Sequence, residues 1–259
     1  MSKRNKPMRV SFSSVLVLAF LAFSISAADT ALPEFLQGRQ NGAWIASRGA
    51  VVRQSALRTS QAIWRPILGD PVDVLKKEGA WTEVANEGGK EGWVESRYLN
   101  TLWILVHKKD KRLMLMDGLV ERGAWAIDLG ADPEGDKVMS GTLAPGHYRT
   151  PEGEMYICRK VPNSRFYKAF LLSYPTIAHA KQGLGKGIIN KTQYQAIVSA
   201  IKSRDVPPQD TNLGGWVEIH GSGTGGKYDW TLGCIALQND VIDLIWSQIV
   251  PGMPVVVTP

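Results

Sequence analysis

Residues 216–239 read WVEIHGSGTGGKYDWTLGCIALQN. Trp216 to His220 is an apolar, β-like run that ends on an imidazole. A glycine-rich loop follows, and then Thr231-Leu232-Gly233-Cys234-Ile235-Ala236. His220 and Cys234 lie 14 residues apart, a spacing that no single helix face accommodates. A strand, a loop and a return bring two such side chains within hydrogen-bond reach, about 3 Å. An imidazole that takes a thiol proton creates a thiolate able to attack an acyl carbon. The Gly221 carbonyl is placed to orient the imidazole, as a carboxylate does in other triads. Gly233 permits a tight turn, and the Gly233 and Cys234 amides are candidate donors to a developing oxyanion.

Outward from this block, residues 101–259 stay largely β in pattern. Leu102 to Val106, Arg112 to Met116, Ala124 to Leu129, Tyr148 to Cys158, Tyr167 to Leu172, Trp216 to His220 and Val255 to Thr258 read as strands. Two helices are expected. One spans Lys191 to Ser203, with Tyr194, Ile197, Val198 and Ile201 at helical spacing. The other starts near Asp240 as N-cap, with Val241, Leu244, Ile245 and Ile249 on one face.

Residues 43–100 carry many short apolar clusters punctuated by Gly69-Asp70, Glu78-Gly79 and Gly88-Gly89, the pattern of a small β-barrel. Val72-Asp73-Val74-Leu75, Gly79-Ala80-Trp81-Thr82-Glu83-Val84 and Glu91-Gly92-Trp93-Val94 resemble the bacterial SH3-like family. The resemblance implies a docking module for cell-wall peptides or glycan; Trp81 and Trp93 as simple core filling is the competing reading.

The N-terminus has a different composition. Lys3, Arg4, Lys6 and Arg9 precede the apolar run Val15 to Ile25, and small residues surround Ala27 and Ala28. Residues 1–28 therefore read as a secretory signal peptide, and the protein as exported to the periplasm or cell envelope, with membrane contact only through that segment. The formal charge is +6, but without the four leader bases 26 basic residues face 24 acidic ones, a net of +2. That balance removes the electrostatic footprint of a nucleic-acid binder. Two cysteines do not make a disulfide scaffold, and Cys158, within Met155 to Arg159, reads as a small buried hydrophobe.

The block His220-Gly221 … Thr231-Leu232-Gly233-Cys234 resembles the catalytic motif of the L,D-transpeptidases. Gly135-Asp136-Lys137, Thr150-Pro151-Glu152-Gly153 and Ser173-Tyr174-Pro175 match further signposts of that family. The resemblance implies a mostly β fold with a few helices, an SH3-like barrel followed by a mixed β catalytic domain at 101–259. It implies Cys234 as nucleophile, His220 as base, Gly221 as orienter and Gly233 at the oxyanion site. Thr231, Leu232, Trp230 and Tyr174 become candidate substrate-binding residues. No cofactor or metal is implied. The implied partner is a peptidoglycan stem peptide, with an amine, an anchored protein's lysine or water as acceptor. Leu232 stands where many members have His, and the Ile-Ala pair after Cys234 resembles the YafK-like branch, which keeps cleavage of a wall cross-link open. A non-catalytic wall-binding protein is the third reading.

Other motifs carry less. Gly221 to Lys227 nearly spells a phosphate loop, but Tyr228 replaces its hydroxyl residue and no helix pattern follows. The loop's glycines then provide mobility or clearance. His107, His147 and His179 lack metal-ligand spacing. Arg149 and Arg159 are candidates to meet substrate carboxylates, against the plainer reading of a solvated edge.

Overall fold

The computed structural model describes residues 32–138 and 146–259. The leader expected at residues 1–28 lies outside them. Seven strands form the first sheet: β1 (Gly42–Ile45), β2 (Val52–Arg53), β3 (Ala62–Trp64), β4 (Pro71–Glu78), β5 (Trp81–Ala85), β6 (Glu91–Glu95) and β7 (Leu99–Asn100). Their spatial order is β3-β2-β6-β5-β4-β1-β7. Ile45, Val52, Val72, Val84 and Val94 are buried in its interior, one each from β1, β2, β4, β5 and β6, as the alternation of a half-buried strand allows. Trp81 and Trp93 are only half-buried, so branched aliphatics fill this core instead.

The remaining elements are β8 (Leu102–His107), β9 (Arg112–Asp117), β10 (Val120–Ala126), β11 (Gly153–Ser164), β12 (Tyr167–Leu172), α1 (Ile177–Gly185), α2 (Lys191–Lys202), β13 (Glu218–His220), β14 (Ile235–Ala236), α3 (Asn239–Trp246) and β15 (Pro254–Thr258). The eight strands form one sheet in the order β10-β9-β8-β15-β11-β12-β13-β14. β15 enters parallel to β8 and antiparallel to β11, which joins the early hairpin to the later strands. The fold is thus mostly β, with the short parallel pair β13–β14 at one edge.

Among the described residues three α-helices are present where two were expected. In α1 the sequence IAHAKQGLG is too rich in glycine to show a clean apolar stripe. Thr176 caps it, and Gly183 lies so close to Leu213 that an added Cβ would approach that side chain to 2.8 Å. α2 starts on a reciprocal capping box: Gln193 N–H donates to Asn190 Oδ1 at 2.9 Å, and Asn190 N–H to Gln193 Oε1 at 3.0 Å. α3 begins two residues earlier than an Asp240 N-cap implies. Gln238 holds the N-cap position without a side-chain bond, and Asp240 lies in the first turn.

The two sheets share a core. Phe35 and Leu36 of the lead segment and Trp44 of β1 belong to the same buried cluster as Trp103, Leu115 and Val255. The Trp44 indole N–H donates to the Leu102 carbonyl at 3.0 Å. Trp44→Ala is therefore expected to cost about 3–5 kcal/mol of stability, the usual penalty for an emptied aromatic site. A urea midpoint unchanged from wild type would contradict the shared core.

Candidate active site

In the parallel pair β13–β14, Ile219 lies opposite Ile235 and His220 opposite Ala236. Extending that register by one residue sets Cys234 opposite Glu218. Alternate residues of a strand point to the same face, so Glu218, His220 and Cys234 share one face, with Cys234 diagonal to His220. Strand spacing and rise put their Cα atoms roughly 8 Å apart, a span that an imidazole and a thiol cover between them.

His220 is buried, and its Nδ1 donates to the Gly221 carbonyl at 2.6 Å. That bond assigns the proton to Nδ1 and leaves Nε2 with a free lone pair. Phe166 stacks on the ring at 4.6 Å between centroids, and Trp230 packs against it edge-on at 5.8 Å. Burial lowers the His220 pKa below its ordinary value, although the Gly221 carbonyl and the Asp128 charge oppose the shift. Near pH 7 the imidazole is neutral, the form able to accept a proton.

Cys234 is a half-buried free thiol, and its Sγ faces the Trp216 carbonyl at 3.6 Å. Burial pushes its pKa up to about 11; the Glu218 backbone N–H and Lys137 favour the thiolate, whereas the Glu218 carboxylate opposes it. The resting pair is therefore imidazole and thiol, not a preformed ion pair. Cys158 is also half-buried and free, pushed up to about 12 by burial.

The loop before Cys234 is held from several sides. The buried Thr231 hydroxyl donates to the Cys234 carbonyl at 2.7 Å and accepts the Gly233 N–H at 3.1 Å. Gly233 has φ +120°, and a Cβ there would lie 2.5 Å from the Arg149 carbonyl. Lys137, 4% exposed, donates to the Leu232 carbonyl at 3.0 Å and to the His147 carbonyl. Burial lowers its pKa to about 8. On the thiol's other side, Trp216 adopts φ +55° and its N–H donates to Gln209 Oε1 at 2.6 Å. A non-glycine residue held in that region costs energy, which is a common mark of a functional site.

The glycine-rich loop is pinned, so its glycines provide clearance and not mobility. The buried Asp128 carboxylate accepts Thr224 N–H, Thr224 Oγ1, Gly226 N–H and the Trp230 indole N–H at 2.6–2.9 Å. A Cβ at Gly221 would approach Asn239 Oδ1 to 2.5 Å, and one at Gly223 the Leu237 backbone to 2.7 Å. Burial alone would raise the Asp128 pKa, but its hydrogen bonds outweigh that and hold it below the ordinary value. This carboxylate stabilises the fold above its unfolded pKa of about 3.9, and the contribution is lost as pH falls through the lowered folded value. Asp128→Ala strands several buried donors and is expected to cost about 3 kcal/mol or more. Urea titration checks it; a loss under about 0.5 kcal/mol would show that the loop holds without this residue.

Several expected roles change. Tyr174 is fully buried, and its hydroxyl donates to the Leu213 carbonyl at 2.8 Å, so it is a core residue and not a substrate contact. The Thr231 hydroxyl is consumed inside the turn. The Gly233 N–H, expected to face an oxyanion, donates to Thr231 instead. Trp230 is half-buried and braces His220. Leu232 is 61% exposed beside the thiol. Arg149 is ion-paired with Asp132 at 2.8 Å. Asp128, Phe166 and Lys137 were not singled out as site residues from the sequence. Asp128 carried a signal, a charge inside the apolar run Ala124 to Leu129; Phe166 carried none. His179 bonds Asp136 at 3.1 Å and Thr176 at 2.7 Å. Among the described residues no group of three or more His, Cys, Asp or Glu side chains is arranged to hold a metal, and no helix is long and apolar enough to cross a membrane.

Residues 101–257 match the family model described as the L,D-transpeptidase catalytic domain, and residues 46–100 match that of the bacterial SH3 domain. No curated protein matches the chain. Similar solved structures include a Bdellovibrio bacteriovorus protein at 17% identity and TM-score 0.39, covering 61% of this chain and 48% of that one. An L,D-transpeptidase from Xylanimonas cellulosilytica matches at 10% identity and TM-score 0.37, covering 61% of each chain. One from Mycobacterium smegmatis matches at 12% identity and TM-score 0.36, covering 82% of this chain and 95% of that one. The chain thus spans about half the length of the first of these and three fifths of the second. With its model covering most of the chain, this protein belongs to the L,D-transpeptidase catalytic-domain family, preceded by a bacterial SH3 domain.

Proposed function

We propose that this protein is an exported cell-wall acyltransferase in which Cys234 is the nucleophile and His220 its base. The observation that carries the reading is the shared face of His220 and Cys234 on the parallel pair, with Nδ1 locked on Gly221 and Nε2 left free. Nε2 takes the thiol proton as Sγ attacks a substrate carbonyl. In the family's substrate, a peptidoglycan tetrapeptide stem, that carbonyl joins the L-centre of diaminopimelate to terminal D-alanine. The oxyanion turns toward the Cys234 N–H, since the Gly233 N–H is engaged by Thr231. The C–N bond breaks, Nε2 returns the proton to the leaving D-alanine amine, and a thioester forms. An acceptor amine then attacks the thioester, loses a proton through Nε2, and the sulfur leaves as a thiol.

The SH3 domain precedes this unit and is proposed to dock wall polymer, with the half-buried Trp81 and Trp93 as contacts. Residues 1–28 are proposed as the export signal. Incubation with a defined disaccharide tetrapeptide, followed by mass spectrometry, tests the reading. Release of one D-alanine with a cross-linked dimer supports transfer. Release with only a tripeptide product assigns water as acceptor, and no covalent adduct on Cys234 at any time would leave a binding module.

A further inference from the structure

From Met155 to Arg204 the chain holds nine basic residues and no acidic one. The rest of the chain after residue 28 holds 17 basic and 24 acidic residues, so the charge is strongly polarised. Five of the nine bases have partners. Lys168 pairs with Asp243 at 2.6 Å and Arg204 with Glu34 at 3.7 Å. Lys160 donates to the Ile249 carbonyl at 3.1 Å, and Arg159 and Arg165 each lie 5.7 Å from an aromatic ring centre. The other four are Lys181, Lys186, Lys191 and Lys202, all on the hairpin of α1 and α2. Each is exposed, and none makes an ion pair or a side-chain hydrogen bond among the described residues.

The hairpin holds these lysines on its outer side. Ala180, Ile189, Ile197 and Leu213 form its own small core. At about 100° per residue, Lys191 and Lys202 lie about 20° apart around α2 and more than about 100° from Ile197. Lys181 is turned about 160° around α1 from Gly183, which packs on Leu213. Leu184, 37% exposed, lies between Lys181 and Lys186 at the end of the hairpin. Helix stability does not explain this charge. Neither helix contains an acid, and Lys191 stands at the start of α2, where a cation opposes the helix dipole. The carbonyls that follow α2 are met by Arg48 at 3.3 Å, so Lys202 is not their cap. Asp205, the first acid after the stretch, is paired with Arg48 at 2.7 Å.

The side-chain types on this face select its partner. Planar recognition of single carboxylates is served by arginine, and sugar rings are received on exposed aromatic faces. The outer side of the hairpin carries lysines and an aliphatic Leu184, and its Tyr194 is half-buried. Mobile point charges around an aliphatic tip suit a layer of anionic headgroups, where each lysine contributes without a fixed register. We infer that the α1–α2 hairpin docks on an anionic phospholipid surface, with Lys181, Lys186, Lys191 and Lys202 in the headgroup layer and Leu184 entering it. The inference is independent of the chemistry proposed for Cys234.

Vesicle flotation of the full chain tests this. Vesicles of phosphatidylglycerol and phosphatidylcholine in equal parts are compared with phosphatidylcholine alone, which reads whatever the apolar run Val15 to Ile25 contributes. Each lysine near an anionic surface is worth about fivefold in affinity. Lys181→Gln, Lys186→Gln, Lys191→Gln and Lys202→Gln together are expected to lower binding to the anionic vesicles by about a hundredfold or more, and arginine at the same four positions to preserve it. Single replacements, at about fivefold each, keep the test open should the fourfold variant unfold. Leu184→Ser is expected to weaken binding severalfold, and D-alanine release from soluble muropeptide is expected to be unchanged in all of these variants. Equal binding of the wild-type chain to both vesicle types, or undiminished anionic binding in the glutamine variants, overturns the inference. Lysine-dependent binding to purified peptidoglycan, or lysine-dependent self-association, without binding to anionic vesicles overturns it too and assigns the face to wall polymer or to a second copy.

Discussion

Replacing Cys234 with alanine is expected to abolish D-alanine release, by at least about a thousandfold, and to eliminate any covalent substrate adduct. The thiol is half-buried and meets backbone groups, the Trp216 carbonyl at 3.6 Å and the Glu218 N–H. Its removal therefore leaves packing nearly intact, and stability should move by less than about 1 kcal/mol. Activity loss without unfolding separates nucleophile from scaffold. Intact-protein mass spectrometry and a D-alanine assay on the same preparation read both. Retention of more than a tenth of wild-type release in the alanine variant would end the case for acyl transfer at this sulfur. Because burial pushes the thiol pKa up to about 11, little of it is thiolate at pH 7 in the absence of substrate. Alkylation by iodoacetamide should accordingly be slow at neutral pH and accelerate up to that value.

The second large effect is at His220. His220→Gln keeps a polar side chain but removes the proposed base, and it is expected to lower acylation by about a hundredfold to ten-thousandfold. The pH dependence gives a signature that a structural defect would not. The base works when neutral, and burial lowers its pKa below the ordinary histidine value. Wild-type acylation should therefore rise through a midpoint below the ordinary histidine value of about 6.5. In the glutamine variant that acid limb should vanish, leaving a rate that tracks free thiolate. A variant that keeps the wild-type acid limb would assign the titrating base elsewhere.

The site was legible in the sequence to the extent that its parts are local. His220, Gly221, Gly233 and Cys234 fall within one short block, and the glycines around them mark places where backbone must approach closely. The turn chemistry of residues 231–234 follows from the same stretch. Residues brought from a distance were not legible. Lys137 reaches under Leu232 from 95 positions away, and Asp128 collects donors 96 to 102 positions ahead. Phe166 meets His220 only because β12 and β13 pair. The Tyr174 ring turns into the core, a direction that its place in the Ser-Tyr-Pro signpost does not encode.

By itself the sequence determined the class of fold, the strand that carries His220, the return that carries Cys234, and the family. These are properties of periodicity, turn residues and short spacing, all written along the chain. Only the tertiary structure decided that the thiol and imidazole rest neutral and that the Gly233 amide is spent on Thr231. Burial and strand pairing set those features, and both depend on what other segments place within a few ångströms.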